Sequence, residues 1–343
     1  MRSVVSILIF AFALTVVVER AASTKGAARF LRSLEQRYAN RARESNDKNR
    51  LEPKERRLSD RQTTGALSSE VHFREVEGRG LLVDVWLNDT GPYTFAIDTG
   101  AGATIINGRV ARAARLSIYT NRSTNVGGLS SANSFAGQGA AARSLAVGSL
   151  TNRLSSKGLM IVAESLPPGI DGVIDPTEVY APLGYVLDMP RHTLSVFDPR
   201  ARPLKINDTP PGGVVVPWLY DSESRRPYVA LAPGVQRALL DTGSGFGLAL
   251  SESAARPLSI FTSIGRDSGS SSDSVHDIAG GSLVARRINP ATVFVGSLAL
   301  RRVPTDLLSG VNAASPILLG RDALRPFRLT FDPLNRLIEF APQ

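Results

Sequence analysis

"TFAIDTGAGATII", residues 94–106, closes an apolar run on an aspartate, follows it with Thr-Gly, and resumes with a second apolar run. "ALLDTGSGFGLAL", residues 238–250, repeats that arrangement 143 residues later (241 minus 98). A single Asp-Thr-Gly is an ordinary turn sequence, because Asp and Gly both favour turns. Two copies in matched surroundings suggest a paired site.

Working outward from the two aspartates, three further features recur in the same order, the sign of an internal repeat. "VGSL" occurs at 147–150 and again at 295–298. "GVIDP", 172–176, answers "ILLGRD", 317–322, and "VLDMPRHTLSVFD", 186–198, answers "TFDPLNRLIEFAP", 330–342. Local patterns favour strands. "LLVDVWL", 81–87, is apolar and partly β-branched, and the Gly-Pro at 91–92 is a turn signal before Tyr93–Ile97. "PYVAL", 227–231, then Pro-Gly, then "VQRALL" repeats the strand, turn, strand order. The closing stretch predicts a hairpin around Asp332–Arg336. Short helices are expected at 108–116 and 324–327. The fold class expected is all-β: two similar units, 67–205 and 206–343, joined through the turn-rich segment 201–213.

Composition narrows the chemistry. The 343 residues hold no cysteine, so thiolate catalysis, cysteine metal sites and disulfides are excluded. Three isolated histidines, His72, His192 and His276, argue against zinc hydrolysis and Ser-His-Asp catalysis. The N-terminus reads as an export signal over residues 1–23, with Arg2, an apolar stretch Val4–Val18, and the small residues Ala21, Ala22 and Ser23. An uncleaved membrane anchor is the alternative, and no later segment is a candidate span. Residues 24–66 hold 12 Lys+Arg against 6 Asp+Glu, and residues 67–343 hold 26 against 24. The basic balance therefore belongs to a polar tether or prosegment, and the globular part gives no support for nucleic-acid binding.

The two Asp-Thr-Gly motifs, each followed by an apolar pair, glycine and helix near the end of its unit, resemble those of aspartic peptidases of the pepsin and retropepsin clan. That resemblance implies a bilobal acid-protease-like fold with the cleft between two β-barrel lobes. It implies Asp98 and Asp241 as a catalytic dyad, a protein or peptide substrate, and no metal or cofactor. Two adjacent carboxyls cannot both ionise cheaply, so the pair shares a proton, a case for which the aspartic-protease dyad is the standard illustration. A single chain completes the dyad, so a monomer is expected.

The neighbours of the dyad have physical roles too. Gly100 and Gly243 let the backbone approach a carboxylate, and Thr99 and Thr242 are expected to hydrogen-bond across the two units. Ser244 has Ala101 as its counterpart, so its hydroxyl is expected to favour ionisation of Asp241. Flap hairpins are expected around Val126, Gly127 and Gly128 and around Ala279, Gly280 and Gly281, although 121–140 lacks the tyrosine of pepsin-like flaps. Asp175 stands where the repeat has Gly320, and reads as a tolerated turn residue. Asp188, Asp332 and His192 read as turn residues, and Trp86 and Trp218 as core or lobe-interface residues. A non-catalytic peptide- or partner-binding protein of the same fold is the competing reading, which retention of both aspartates disfavours.

Overall fold

The computed structural model describes residues 69–343 apart from 128, 130–133, 155–158, 165, 220–224, 234–235, 261–271, 277–280 and 312–314. The export signal and basic segment expected at 1–66 lie outside the described residues. Among those described, the chain is mostly β, with four short helices and three sheets. None of the described helices is long and apolar enough to cross a membrane.

One sheet belongs to each half of the repeat. In the first half it runs Arg74–Val76, Gly80–Leu87, Thr90–Ile97, Gly172–Ile174, Thr104–Asn107, Leu159–Ala163, Ser134–Ala141, Ser117–Gly127. In the second it runs Tyr228–Ala232, Gln236–Asp241, Ile317–Gly320, Leu248–Ser251, Leu298–Ser309, Ser282–Val295, Ser272–His276. The core of each is the same. The strand that ends at the aspartate pairs in parallel with the short strand from the later repeat element, Ile174 opposite Ile97 and Leu319 opposite Leu240. That short strand pairs antiparallel with the strand leaving the aspartate loop.

The third sheet draws on both halves. Val71–His72, Thr193–Phe197 and Gly184–Asp188 come from the first, and Phe327–Asp332, Leu337–Pro342 and Val214–Pro217 from the second. Its two hairpins are the "VLDMPRHTLSVFD" and "TFDPLNRLIEF" repeats. They meet at strands Gly184–Asp188 and Phe327–Asp332, where Val186 lies opposite Thr330. These two positions also open the two copies of the repeat, so equivalent residues face each other and the pairing has local two-fold symmetry. Asp188 and Asp332 build the hairpin turns, accepting from the N–H of Arg191 at 3.0 Å and of Asn335 at 2.8 Å. His192 sits in its turn at φ 54°.

Alternation along the strands places the core. Phe95, Ile97, Ala238 and Leu240 point into one large cluster that includes residues of all three sheets, whereas Ala96 and Leu239 point to the opposite faces. A period of two therefore sends Asp98 and Asp241 to those opposite faces as well. Trp218 is buried in the large cluster, edge-on to Phe331 at 5.9 Å, and Trp86 is half-buried. The first helix, Gly108–Ala113, falls where expected, but the last is Arg321–Leu324 rather than 324–327. Phe327 instead opens a strand, because its ring is needed against Phe340 in the shared sheet.

Candidate active site

The two aspartate loops are locked to each other through their threonines. Thr99 Oγ1 donates to the Leu240 carbonyl at 2.7 Å and accepts from the Thr242 N–H at 3.2 Å. Thr242 Oγ1 does the same in return, donating to the Ile97 carbonyl at 3.0 Å and accepting from the Thr99 N–H at 3.1 Å. Both threonines are fully buried. Four reciprocal bonds in a water-free setting fix the separation of the loops, and each loop presents its aspartate beside the other.

The glycines are required by that proximity. A Cβ on Gly100 would lie 2.8 Å from Asp241 Cγ, and one on Gly243 would collide with the Asp98 carboxylate. Each aspartate is also held by its own loop. Asp98 Oδ1 accepts from the Gly100 N–H at 2.8 Å, and Asp241 Oδ1 from the Ser244 N–H at 3.0 Å.

The two carboxyls lie side by side, each against the glycine of the other's loop, close enough for a hydrogen bond between them to bear on their protonation. Burial pushes the Asp241 carboxyl well above the usual carboxylate range, the charge of Asp98 and the bond between them add to that, and the Ser244 N–H and Arg321 oppose it. Asp241 is buried and Asp98 half-exposed, so burial favours the neutral form of Asp241. Burial thus acts against the expected effect of the Ser244 hydroxyl, which was to favour ionisation of Asp241. That hydroxyl faces the Phe246 N–H, from which it accepts at 3.3 Å, and Ser244 supports the dyad through its backbone alone.

Beneath the loops sit two ionisable residues, Arg321, which the sequence did not signal, and Asp175, which it marked only as a turn residue. Arg321 is buried, and its Nη1 donates to the carbonyls of Thr242 at 2.7 Å and Gly243 at 3.0 Å. Its Nε lies 3.4 Å from Glu75 of the first half, which Arg325 also pairs with at 2.8 Å. Hydrogen bonding to Arg325 keeps Glu75 below its usual range. Asp175 is buried near Asp98, caps the helix Pro176–Val179 by accepting from the Thr177 N–H at 2.9 Å, and is pushed up to about 7, chiefly by burial. It is a helix cap as well as a turn residue.

The dyad opens into a cleft of about 500 Å³, a size suited to a ligand or a short peptide segment. Val126 and Gly127 line it from the hairpin Ser117–Gly127 and Ser134–Ala141, and Val275 from the hairpin Ser272–His276 and Ser282–Val295. Of the other expected flap residues, Gly128, Ala279 and Gly280 lie outside the described residues. Gly281 is buried next to the second hairpin and does not line the cleft. Among the described residues no group of His, Cys, Asp and Glu could hold a metal ion. No protein-family model matches the chain, and no curated protein matches it significantly.

Proposed function

We propose that this chain is an exported aspartic endopeptidase, with two β lobes in an acid-protease-like arrangement and the cleft between them. The observation that carries the reading is the pair of adjoining carboxyls, Asp98 and Asp241, which line one cleft from loops locked together by Thr99 and Thr242. In this mechanism the ionised Asp98 takes a proton from water as its oxygen attacks the scissile carbonyl carbon. Asp241, the protonated partner, gives its proton to the carbonyl oxygen. The resulting diol collapses as Asp98 returns its proton to the amide nitrogen, the C–N bond breaks, and a diol hydroxyl restores the proton on Asp241. The peptide bond and one water are thereby converted to a carboxylic acid and an amine, and no other reactant is needed.

The test is cleavage of an unstructured protein by the full chain between acid and neutral pH. Asp98→Asn and Asp241→Asn should each lower the rate by on the order of a thousandfold or more, as expected for loss of a positioned acid or base. A statine-type inhibitor should block the remaining wild-type activity. Cleavage that survives either substitution, or a folded wild type inert across that range, would sink the proposal.

A further inference from the structure

The charge of the cleft lining is uneven. Among the described residues its carboxylates are Asp98 and Asp241, which share a proton, whereas Arg79, Arg226, Arg287 and Arg321 all contribute to it. Arg321 is committed internally to the Thr242 and Gly243 carbonyls and to Glu75. The other three are placed differently. Arg79 is exposed on the first-half wall, packed over Gly169, where an added Cβ would fall 2.7 Å from its guanidinium carbon. No carboxylate among the described residues pairs with it. Arg226 crosses from the second half to the first aspartate loop, where its Nη2 donates to the Ala101 carbonyl at 3.2 Å and its guanidinium lies against Gly102. Arg287 stands on the second-half wall, its Nε anchored 2.9 Å from the fully buried Asp306, with the side chain still 46% exposed. A guanidinium has five donors in a planar fork, so the anchor on Asp306 leaves donors of Arg287 directed elsewhere.

We infer that the cleft selects acidic peptide segments, with Arg79 and Arg287 receiving Asp or Glu side chains on either wall. A carboxylate entering such a site exchanges its hydration for charge-assisted, bidentate hydrogen bonds, for which guanidinium has the matching geometry. A basic segment meets like charge. The lining thus disfavours the cationic segment 24–66 as an occupant of the cleft. The inference rests on the peptidase reading only for the scissile bond.

Two labelled peptides test it, with the same central apolar pair flanked by Glu in one and by Gln in the other. For the full chain, kcat/KM should favour the Glu peptide by about tenfold, within the range of one charge-assisted hydrogen bond, and the preference should shrink as salt is raised. Arg79→Gln and Arg287→Gln should each reduce the ratio several-fold. Fluorescence anisotropy with the Asp98→Asn/Asp241→Asn double variant, which cannot use the dyad, should show the same order of affinity. A Glu preference in binding without any cleavage defeats the peptidase reading and leaves the inference standing. Cleavage with equal rates for both peptides, or a preference untouched by both arginine variants, overturns the inference.

Discussion

The two halves carry equivalent aspartate loops on unequal foundations. In the second half the loop Ser244–Gly247 folds back onto the start of the last helix. The N–H groups of Gly320, Arg321 and Asp322 donate to the carbonyls of Gly247, Ser244 and Phe246. An added Cβ on Gly320 would collide with the Phe246 carbonyl and lie 2.9 Å from that of Ser244, so glycine is required there. The first loop is one residue shorter: Ile105 and Ala249 occupy equivalent pairing positions, 7 and 8 residues after their aspartates. It reaches the corresponding strand end through the Thr104 hydroxyl, which accepts from the Asp175 N–H at 3.3 Å. Asp175 has the room that a residue at 320 lacks. Equivalent strand ends, tied down by different bonds, therefore hold a buried carboxyl near Asp98 and a buried guanidinium near Asp241. Duplication of geometry does not duplicate electrostatics.

Removing the guanidinium tests the larger side of that asymmetry. Arg321→Met keeps length and loses the charge, leaving the Thr242 and Gly243 carbonyls without their donor and Glu75 with one partner fewer. Breaking a buried ionic contact of this kind destabilises by about 3–5 kcal/mol. Urea unfolding of the full chain should report a loss of that size, and a loss below about 1 kcal/mol would show that Arg321 does not hold the second loop.

Asp175 should respond in the opposite sense and only at some pH values. Its pKa rises from 3.8 to about 7 on folding, through burial first and then the charges of Asp98 and Glu178, against the opposing bonds from Thr177. A raised carboxyl pKa means that the folded protein holds its proton where the unfolded chain has lost it. The stability present below about 3.8 is therefore lost progressively as pH rises to about 7. Asp175→Asn caps a helix comparably and cannot ionise. It should match the wild type in acid and exceed it at mildly alkaline pH, by up to about 4 kcal/mol for some three pK units. Unfolding curves at the two pH values decide the matter, and a pH-independent difference would refute the buried neutral carboxyl.

How much of this was legible in the sequence depended on range. The apolar end of strand Thr90–Ile97, the turn after Asp98, the paired hairpins and the Asp-Thr-Gly repeat were readable because period, turn residues and self-similarity are local or repeated signals. The turn expected at Gly91-Pro92 falls instead at Asn88-Asp89, where Leu87 pairs with Thr90 and the strand takes in the Gly-Pro. The pairing of Val186 with Thr330 was not readable, since contact between strands far apart in sequence leaves no mark on either strand's periodicity. Arg321 was hidden for another reason. An arginine opening a short helix reads as solvated, and only the backbone carbonyls above it show that it is buried. Ser244 misled because residue type shows that a hydroxyl is present but not where it points.

The threonines supply the control for all of this, because here the halves do match. Thr99 and Thr242 each donate to a strand carbonyl, at 2.7 and 3.0 Å, and each accept from the other's N–H, at 3.2 and 3.1 Å. Valine preserves the shape of either side chain but removes the hydroxyl, so two bonds are lost and a carbonyl and an N–H are left buried without their partners. The loss should be about 2 kcal/mol for Thr99→Val and, within about 0.5 kcal/mol, the same for Thr242→Val. The double variant should depart from the sum of the two, because neighbouring residues in one network are coupled by about 0.5–3 kcal/mol. Equal single losses would locate the inequality of the halves below the loops, at Asp175 and Arg321. Unequal losses would show instead that it extends into the loops, and Gly100 and Gly243 would then be the next pair to compare.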